Sequence, residues 1–411
     1  MWSVKVPGDD RKRLSRKFHP SQPHVMRSGD ISEQSVHDRL DLVRLTSEER
    51  GTLADAQTLA QRERYARNIE NFIGTVKVPV GLAGPLRVNG THAQGDYYIP
   101  LATTEAALVA SYSRGAQTIT EAGGCTAILI DESVSRGPAF AFADVQQAQA
   151  FAAWVSANVS ALRAVAEATT RHGKLRSLET TIEGNHVYLS AAYSTGEASG
   201  QNMVTIATEA LCRHIAQQTP VAPSYWFLEA NFSGDKKASQ QSLMRVRGKR
   251  VSADALIPAA LVERDLHTSV ARLVEYSTMS AVGAALSGTV GIHGHYANCL
   301  AALYIACGQD AACVAESAIG ISRFEQDPHG DLYATVTLPN IMVGTVGGGT
   351  GLPSQRACLQ ILGLEGPHQA HALAEICAGL CLAGELSISA AIAADQFSAA
   401  HQRLARGPAP Q

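Results

Sequence analysis

The stretch SLETTIEGNHVYLSAAYSTGEASGQNMVTIATEALCRHIAQ, residues 177–217, does most to decide the fold. Its first half alternates apolar and polar residues and predicts two short strands, over 177–182 and 186–192. Its second half predicts a helix over 202–217, and an alanine-rich helix over about 145–171 precedes the whole stretch. Strand and helix segments that alternate within about ninety residues predict a small α+β unit inserted into a larger domain.

The rest of the chain is long and apolar enough to build that larger domain. Of 411 residues, 45% are apolar and 17% are charged, and this length favours about two to three domains. The net charge of -3 gives no general attraction to nucleic acid or to an anionic membrane, so no nucleic-acid role is predicted. The most apolar region, about 279–321, is interrupted by His293, His295 and Asp310, which predicts that it does not span a membrane.

The eight cysteines are scattered without a CxxC pair, which is typical of a reducing cytoplasm rather than of a disulfide-rich secreted protein. Cys377 and Cys381 lie four residues apart on a predicted helix, but no histidine or cysteine accompanies them at metal-site spacing. We therefore predict two small buried residues here, no metal site and a cytoplasmic location.

The flanking segments give weaker signals. Residues 1–45 are polar and aperiodic, which predicts a loosely ordered arm or an oligomer contact. A helix with Ser47 as its N-cap is predicted over 47–69. From Ser239 onward the chain is predicted to be mostly helical, and the nearly uncharged helix over 297–307 is predicted to be buried on all sides.

Several words along the chain point to one enzyme family. They are ENFIG (70–74), PVGLAGPL (79–86), PLATTE (100–105), GEASGQNM (196–203), DKK (235–237), YIACGQDAA (304–312), GTVGGGT (344–350) and AGELS (383–387). On these words the chain resembles the 3-hydroxy-3-methylglutaryl-CoA (HMG-CoA) reductase family over about residues 65–406. ENFIG and DKK are most similar to its eukaryotic and streptomycete-type class.

The resemblance implies an α+β fold with a large, mainly helical substrate domain and an inserted ferredoxin-like NADP-binding domain. The implied boundaries are 1–72 for an N-terminal arm and helical region, 73–137 and 239–411 for the large domain, 138–227 for the small domain, and 228–238 for a connecting catalytic loop. It also implies a homodimer or homotetramer, with each active site at a subunit interface.

Four residues carry the chemistry that the resemblance implies. Glu105, by itself a helix-terminal carboxylate favoured by the macrodipole, becomes the proton donor to the carbonyl oxygen, which requires a buried carboxyl of raised pKa. Lys236, by itself part of a solvated charge run, becomes the cation that stabilises the oxyanion. Asp310, in an apolar helix where an unpaired charge is costly, becomes its partner. His401, by itself an exposed helical histidine, becomes the proton donor to the departing CoA thiolate.

NADPH is the implied cofactor. GEASGQNM matches the family's nicotinamide-cofactor word at a strand-to-helix transition, where a helix N-terminus can receive a pyrophosphate, and it is not a Rossmann GxGxxG fingerprint. Arg171 aligns with the family arginine that contacts the 2'-phosphate, the alternative being an ordinary surface arginine. GTVGGGT gives further backbone approach to the cofactor, or is a tight turn alone. The implied cofactor-binding residues are Arg171, Glu197, Ser199, Gly200, Gln201, Asn202, Gly347 and Gly348.

An acyl-CoA is the implied substrate, and the residues around its free carboxylate depart from the family pattern. Glu229 stands where the family has a serine, and Met279 stands where it has a lysine. A glutamate there repels a carboxylate unless it is neutral or turned away. Gly407 stands where animal enzymes carry a phosphorylated serine, so that switch is expected to be absent. The implied substrate-binding residues are Arg136, Asp235, Lys237, Asn298, Arg114 and His295.

The function implied by the resemblance is four-electron reduction of HMG-CoA to mevalonate with two NADPH. One alternative is the same chemistry on a different acyl-CoA or carrier-protein thioester, which the substitutions at Glu229 and Met279 would explain. Another is a non-catalytic family member that serves as a binding subunit, which the presence of all four catalytic residues disfavours.

Overall fold

The computed structural model describes residues 30–364 and 367–395, and the chain divides into two compact units, one ending at Lys77 and one beginning at Val78. His401 and Gly407, together with residues 1–29 of the predicted arm, lie outside the described residues.

The first unit is built from short helices. They are α1 (Glu33–Asp41), α2 (Ser47–Leu53) and α3 (Ala56–Ala60), followed by a 3-10 turn (Arg62–Arg64). The expectation of a loosely ordered arm is wrong for α1, because Ser32 caps its N-terminus and Val36 and Leu40, four residues apart, are fully buried.

The single helix expected over 47–69 is also wrong in its boundaries. Thr46, not Ser47, is the N-cap: its hydroxyl accepts from the Glu49 backbone N–H, and the Glu49 carboxylate accepts from the Thr46 N–H at 2.7 Å. The helix ends at Leu53, since Asp55 accepts from the Thr58 N–H at 2.9 Å and starts a new helix.

The second unit contains one ten-stranded sheet. Its strands are β1 (Val80–Gly90), β2 (Gln94–Ala102), β3 (Cys125–Arg136), β4 (Ala139–Ala141), β5 (Lys174–Glu183), β6 (His186–Ser194), β7 (Tyr225–Phe227), β8 (Gly248–Ile257), β9 (Ile321–Gln326) and β10 (Leu332–Ile341). Its helices are α4 (Leu108–Glu121), α5 (Val145–Ala157), α6 (Val159–Glu167), α7 (Gln201–Gln218), α8 (Gln240–Met244), α9 (Ala259–Leu266), α10 (Val270–Ser287), α11 (Tyr296–Ala306), α12 (Val314–Ser317), α13 (Pro353–Ile361) and α14 (Gln369–Ala393).

The long strand β3 belongs to both halves of this sheet. Its first part lies in the order β2-β1-β3-β8-β10-β9, where β1 and β3 are parallel and the other neighbours are antiparallel. Its last residues pair with β6, in the antiparallel order β7-β4-β6-β5. Helices α5 and α6 separate β4 from β5, and α7 separates β6 from β7. This β-α-β-β-α-β unit has the ferredoxin-like topology, so the α+β fold class is confirmed.

The strands and helix predicted from residues 177–217 are all present, as β5, β6 and α7. The helix predicted over 145–171 is two helices, because Asn158 leaves helical geometry (φ -111°, ψ 14°) between α5 and α6. Strands β8, β9 and β10 were not anticipated in the region from Ser239 that was predicted to be mostly helical.

Helix α14 is the central core helix. It is long and apolar enough to cross a membrane, yet 89% of its apolar window is buried inside the protein, as in the core helix of a globular domain. It crosses α4 closely: a Cβ at Gly115 would collide with the Ala383 backbone, and one at Gly384 would collide with the Tyr112 ring.

The prediction that the helix over 297–307 is buried on all sides is wrong for one stripe. Ala297 and Ile305, eight residues apart on α11, are exposed, while the opposite face is buried. The eight cysteines are all buried and free, and Cys377 and Cys381 are core residues, as predicted.

Candidate active site

The centre of the site is an ion pair between Lys236 and Asp310. Lys236 lies in the loop between β7 and α8, in the left-handed backbone region (φ 57°), and its Nζ is 3.0 Å from Asp310 Oδ2. The hydrogen bond with Asp310 raises the pKa of Lys236. Burial is the largest single effect and raises the pKa of Asp310, but the hydrogen bonds with Lys236 and with the Ala312 N–H, together with the charge of Lys236, outweigh it and the pKa is lowered. Both groups are therefore charged at neutral pH.

The expected location of Asp310 within an apolar helix is wrong. Helix α11 ends at Ala306, and Asp310 instead caps the following 3-10 turn (Ala311–Cys313), accepting from the Ala312 N–H at 3.0 Å. The side chains of Lys236 and Asp310 are 43% and 42% exposed. Burial therefore does not explain why Asp310 is paired, although its partner, Lys236, is the expected one.

Asp235, directly before the lysine, is held between two arginines. Its Oδ2 is 2.8 Å from Arg136 Nη1, and its Oδ1 is 2.7 Å from Arg247 Nη2. Arg136 also donates from Nε to Thr205 Oγ1 at 2.9 Å. These bonds fix the backbone of the loop that carries Lys236, and they bring together Arg136 and Asp235, two of the residues predicted for substrate binding.

Arg247 continues this network into the core and was not found by sequence reasoning. It is 2% exposed, and its Nη1 lies 3.0 Å from Oε2 of Glu316, which is fully buried. Burial raises the pKa of Glu316 to about 7, against the opposing effect of Arg247. No sequence motif identifies either residue, because an arginine and a glutamate 69 positions apart look like ordinary surface charges.

The residues that depart from the family pattern are both accessible. Glu229 is exposed, and its Oε2 accepts from the Gly137 N–H at 3.1 Å, beside Arg136. Met279 is 76% exposed on α10. The bond from the Gly137 N–H ties the Glu229 carboxylate to the backbone directly after Arg136. Lys237 Nζ, in contrast, donates to the Asp235 carbonyl at 3.0 Å and to no other described residue, and its side chain is exposed.

The other predicted residues occupy separate positions. Glu105 is exposed before α4, with its N–H donating to Thr103 Oγ1 at 3.0 Å, so the buried environment expected for it is wrong in this structure. Arg114 donates to the Ser387 carbonyl at 2.6 Å. His295 bonds to the buried Glu385 through its N–H (2.8 Å) and its Nδ1 (3.2 Å), and Asn298 lies in the adjoining first turn of α11.

The two glycine-rich words predicted to bind the cofactor come together. Ala198 and Val346 form a parallel bridge, and the Glu197 carbonyl accepts from the Thr345 N–H at 2.8 Å. A Cβ at Gly344 would collide with the Ser199 backbone, so glycine is required for this approach. Residues 196–203 and residues 344–350 therefore form two sides of one surface.

The N-terminus of α7 opens onto this surface. Gly200 is its N-cap, with φ 78° and no side-chain bond to the first turn, and a Cβ there would collide with Thr195. A Cβ at Gly347 or Gly348 would meet no atom within 4 Å. An uncapped helix N-terminus beside an open glycine turn fits the pyrophosphate of a dinucleotide.

Two further contacts join this surface to its surroundings. Gln201 Nε2, in the first turn of α7, lies 2.9 Å from Cys313 Sγ and 3.5 Å from Asp310 Oδ2. On the other side, Thr170 bonds to Met203 Sδ at 3.0 Å, which places the loop carrying the exposed Arg171 against the same first turn. Asn202 is exposed beside them.

Comparison with known proteins covers most of the chain. A sequence profile for hydroxymethylglutaryl-coenzyme A reductase matches residues 35–406. The 3-hydroxy-3-methylglutaryl-coenzyme A reductase of Pyrococcus horikoshii is 44% identical over 351 residues, covering 84% of this chain and 85% of that protein. The protein of the same name from Aeropyrum pernix is 44% identical over 385 residues, covering 92% of this chain and 91% of its own.

A solved structure shows the same fold. The class II 3-hydroxy-3-methylglutaryl-CoA reductase from Streptococcus pneumoniae, bound to NADPH in open conformations, has a TM-score of 0.65 at 22% identity, covering 87% of this chain and 96% of its own.

Fold and relatives together define an oxidoreductase in which two joined glycine-rich segments adjoin a lysine–aspartate pair. The chain belongs to the hydroxymethylglutaryl-coenzyme A reductase family. The resemblance found in the sequence words is thereby confirmed.

Proposed function

We propose that this protein reduces (S)-HMG-CoA to mevalonate and CoA, with two NADPH, in the mevalonate pathway. The observation that carries this proposal is the contact of Gln201 with Asp310, since it sets the Lys236–Asp310 pair beside the cofactor surface. The relatives that cover most of the chain bear the name of this activity.

Lys236 is the group that stabilises negative charge on the substrate oxygen. Asp310 holds its ammonium charged and restricts its position, which preorganises the cation before the thioester carbonyl acquires charge. Collapse of the resulting hemithioacetal releases the CoA thiolate, which His401 protonates, and Glu105 donates a proton to the aldehyde oxygen in the second reduction. The exposure of Glu105 requires that substrate or a second subunit cover it.

The residues present fit NADPH, which supplies the hydride when bound. The N-terminus of α7 after Gly200, together with Gly347 and Gly348, would hold the pyrophosphate. Ser199, Gln201 and Asn202 would line this surface. Glu197 has a supporting role, because its carboxylate already accepts from two backbone N–H groups at the start of α14.

The free carboxylate of the substrate is held by cations around Asp235. Arg136 is shared with Asp235, so Lys237 is the more available cation. Arg114, Asn298 and His295 complete the substrate side.

The assembly is a homodimer or homotetramer in the cytoplasm, with the active site between subunits. Met279, Val282 and Leu286 line one side of α10 and are 76%, 57% and 85% exposed, a continuous apolar stripe suited to a subunit contact. Eight free, buried thiols suit a reducing compartment. Residues 138–227 act as the NADP-binding domain, 228–238 as the catalytic loop, and 73–137 with 239–411 as the substrate domain, after an N-terminal region over 1–72.

Purified protein is expected to oxidise two NADPH for each mevalonate formed from HMG-CoA. The experiment couples absorbance of NADPH to identification of the product, with a panel of other acyl-CoAs in parallel. Oxidation that requires another acyl-CoA and not HMG-CoA would assign the substitutions at Glu229 and Met279 to a changed substrate. Tight NADPH binding without turnover of any thioester would favour a non-catalytic subunit.

Arg171→Ala is expected to raise KM for NADPH by about tenfold and to leave KM for NADH unchanged, because only NADPH carries the 2'-phosphate that an arginine would bind. The measurement is initial velocity against each cofactor at saturating HMG-CoA. Arg213→Ala is the matched control, since Arg213 is an exposed arginine near the other end of α7 and pairs with Glu209. An equal change for both cofactors would remove Arg171 from phosphate recognition.

A further inference from the structure

Three histidines from two distant parts of the chain meet on one surface, and none of them has a role in the site described above. His92 lies in the turn between β1 and β2, and His368 and His371 lie at the start of α14. Their ring centroids are 5.3, 4.9 and 5.1 Å apart, and one ligand nitrogen from each lies within 4.8 Å of the other two.

His371 is oriented as a metal ligand usually is. Its Nε2 is 2.8 Å from Glu132 Oε2. A carboxylate oxygen accepts in such a hydrogen bond, so Nε2 is the donor and Nδ1 is the ring nitrogen left to bind a metal ion. Nδ1 is buried and has no hydrogen-bond partner among the residues that the structure describes. A carboxylate that orients an imidazole in this way is the common outer shell of protein metal sites.

Two other carboxylates fix the backbone that carries the remaining histidines. Glu375 Oε2 accepts from the His92 N–H at 2.8 Å, and Glu197 Oε1 accepts from the His368 N–H at 2.8 Å. With Glu132, each histidine is thus held by its own carboxylate. Their negative charge offsets the positive end of α14 and the buried Lys249, whose own pKa is lowered by burial.

We propose that His92, His368 and His371 form a binding site for one divalent transition-metal ion of the Zn²⁺ type, with water in the open coordination position. Three neutral imidazoles select for Zn²⁺, Co²⁺, Ni²⁺ or Cu²⁺ over Mg²⁺ and Ca²⁺. Zinc–nitrogen bonds of about 2.0–2.1 Å require the three nitrogens to approach more closely than 4.8 Å. Rotation of the exposed His368 side chain supplies part of that movement.

The expectation of no metal site rested on the residues that accompany Cys377 and Cys381. His92 is separated from the other two by most of the sequence, so only the fold brings it to them. The bound ion would fasten the β1–β2 turn to the first turn of α14. The proposal does not depend on the reductase activity, since its ligands are distinct from the Lys236–Asp310 pair.

The test is metal titration of the full chain without an affinity tag. Calorimetry with Zn²⁺, and visible absorption with Co²⁺, are expected to show one ion bound per chain. His92→Asn and His368→Asn are each expected to weaken binding at least about tenfold, and Glu132→Gln about tenfold through loss of the outer-shell bond.

His329→Asn is the matched control, because His329 is an exposed loop histidine outside the cluster. Circular dichroism of each variant checks that it is folded, and His92 and His368 provide two independent substitutions on different segments. Unchanged affinity in both of these variants, or no binding by the unaltered protein, would overturn the proposal.

Discussion

Lys236→Ala is expected to lower kcat for HMG-CoA reduction by about 10³-fold, the largest effect on activity of any single substitution proposed for this protein. The alanine removes the cation that stabilises charge on the substrate oxygen, and it leaves Asp310 as an unpaired carboxylate beside the reacting group. The measurement is NADPH oxidation at saturating HMG-CoA, with binding of NADPH measured separately.

Lys237→Ala separates the role of Lys236 from general electrostatics, because the neighbouring ammonium has the same charge but bonds to the Asp235 carbonyl rather than to Asp310. It is expected to raise KM for HMG-CoA with a smaller change in kcat. A Lys236→Ala protein that is folded, binds NADPH and retains wild-type kcat would show that another group stabilises the oxyanion.

Arg247→Met is expected to lower the free energy of unfolding by about 3–5 kcal/mol, the largest effect on stability. Arg247 is almost fully buried between Asp235 and Glu316, so its removal leaves one carboxylate buried without a counter-charge. Urea denaturation measures the loss. Arg323→Met is the control: its pair with Glu325 is about half exposed, and its loss should cost less than about 1 kcal/mol.

The loss in free energy of unfolding caused by Arg247→Met should depend on pH. Burial raises the pKa of Glu316 from an ordinary 4.5 to about 7. Between these values the unfolded chain releases the proton that the folded chain keeps, so this group makes stability fall as pH rises through that window. Without Arg247 the pKa of Glu316 in the folded protein should rise further, so the pH range over which stability falls extends upward. The loss of stability in Arg247→Met should therefore be larger at about pH 8 than at about pH 5.5. A deficit independent of pH would mean that Asp235, not Glu316, depends on this arginine.

The local structure of the inserted unit could be predicted closely from the sequence. Alternation over 177–192 identified β5 and β6, and the following helical period identified α7, because these patterns express which face each residue presents to its own neighbours. The strands β8, β9 and β10 escaped prediction, since short apolar runs among alanine-rich helices do not distinguish a buried strand from a buried helix.

The candidate site, too, could be predicted only in part from the sequence. The sequence motifs contained Lys236, Asp310 and the glycines predicted to bind the cofactor, and the fold brought Lys236 to Asp310 and residues 196–203 to residues 344–350. The sequence could not show that this ion pair is two-fifths exposed rather than buried, because exposure depends on how α11 ends and on which elements cover the loop.

By itself, the sequence determined the family, the ferredoxin-like insertion and the residue types that the chemistry needs, because these follow from short words and local periodicity. Only the tertiary structure decided which charges are buried and which partners they have. Arg247 with Glu316, and His92 with His368 and His371, look unremarkable along the chain. These residues lie far apart in the sequence, and packing brings them within hydrogen-bonding or metal-ligand distance of one another. No local sequence pattern encodes that proximity.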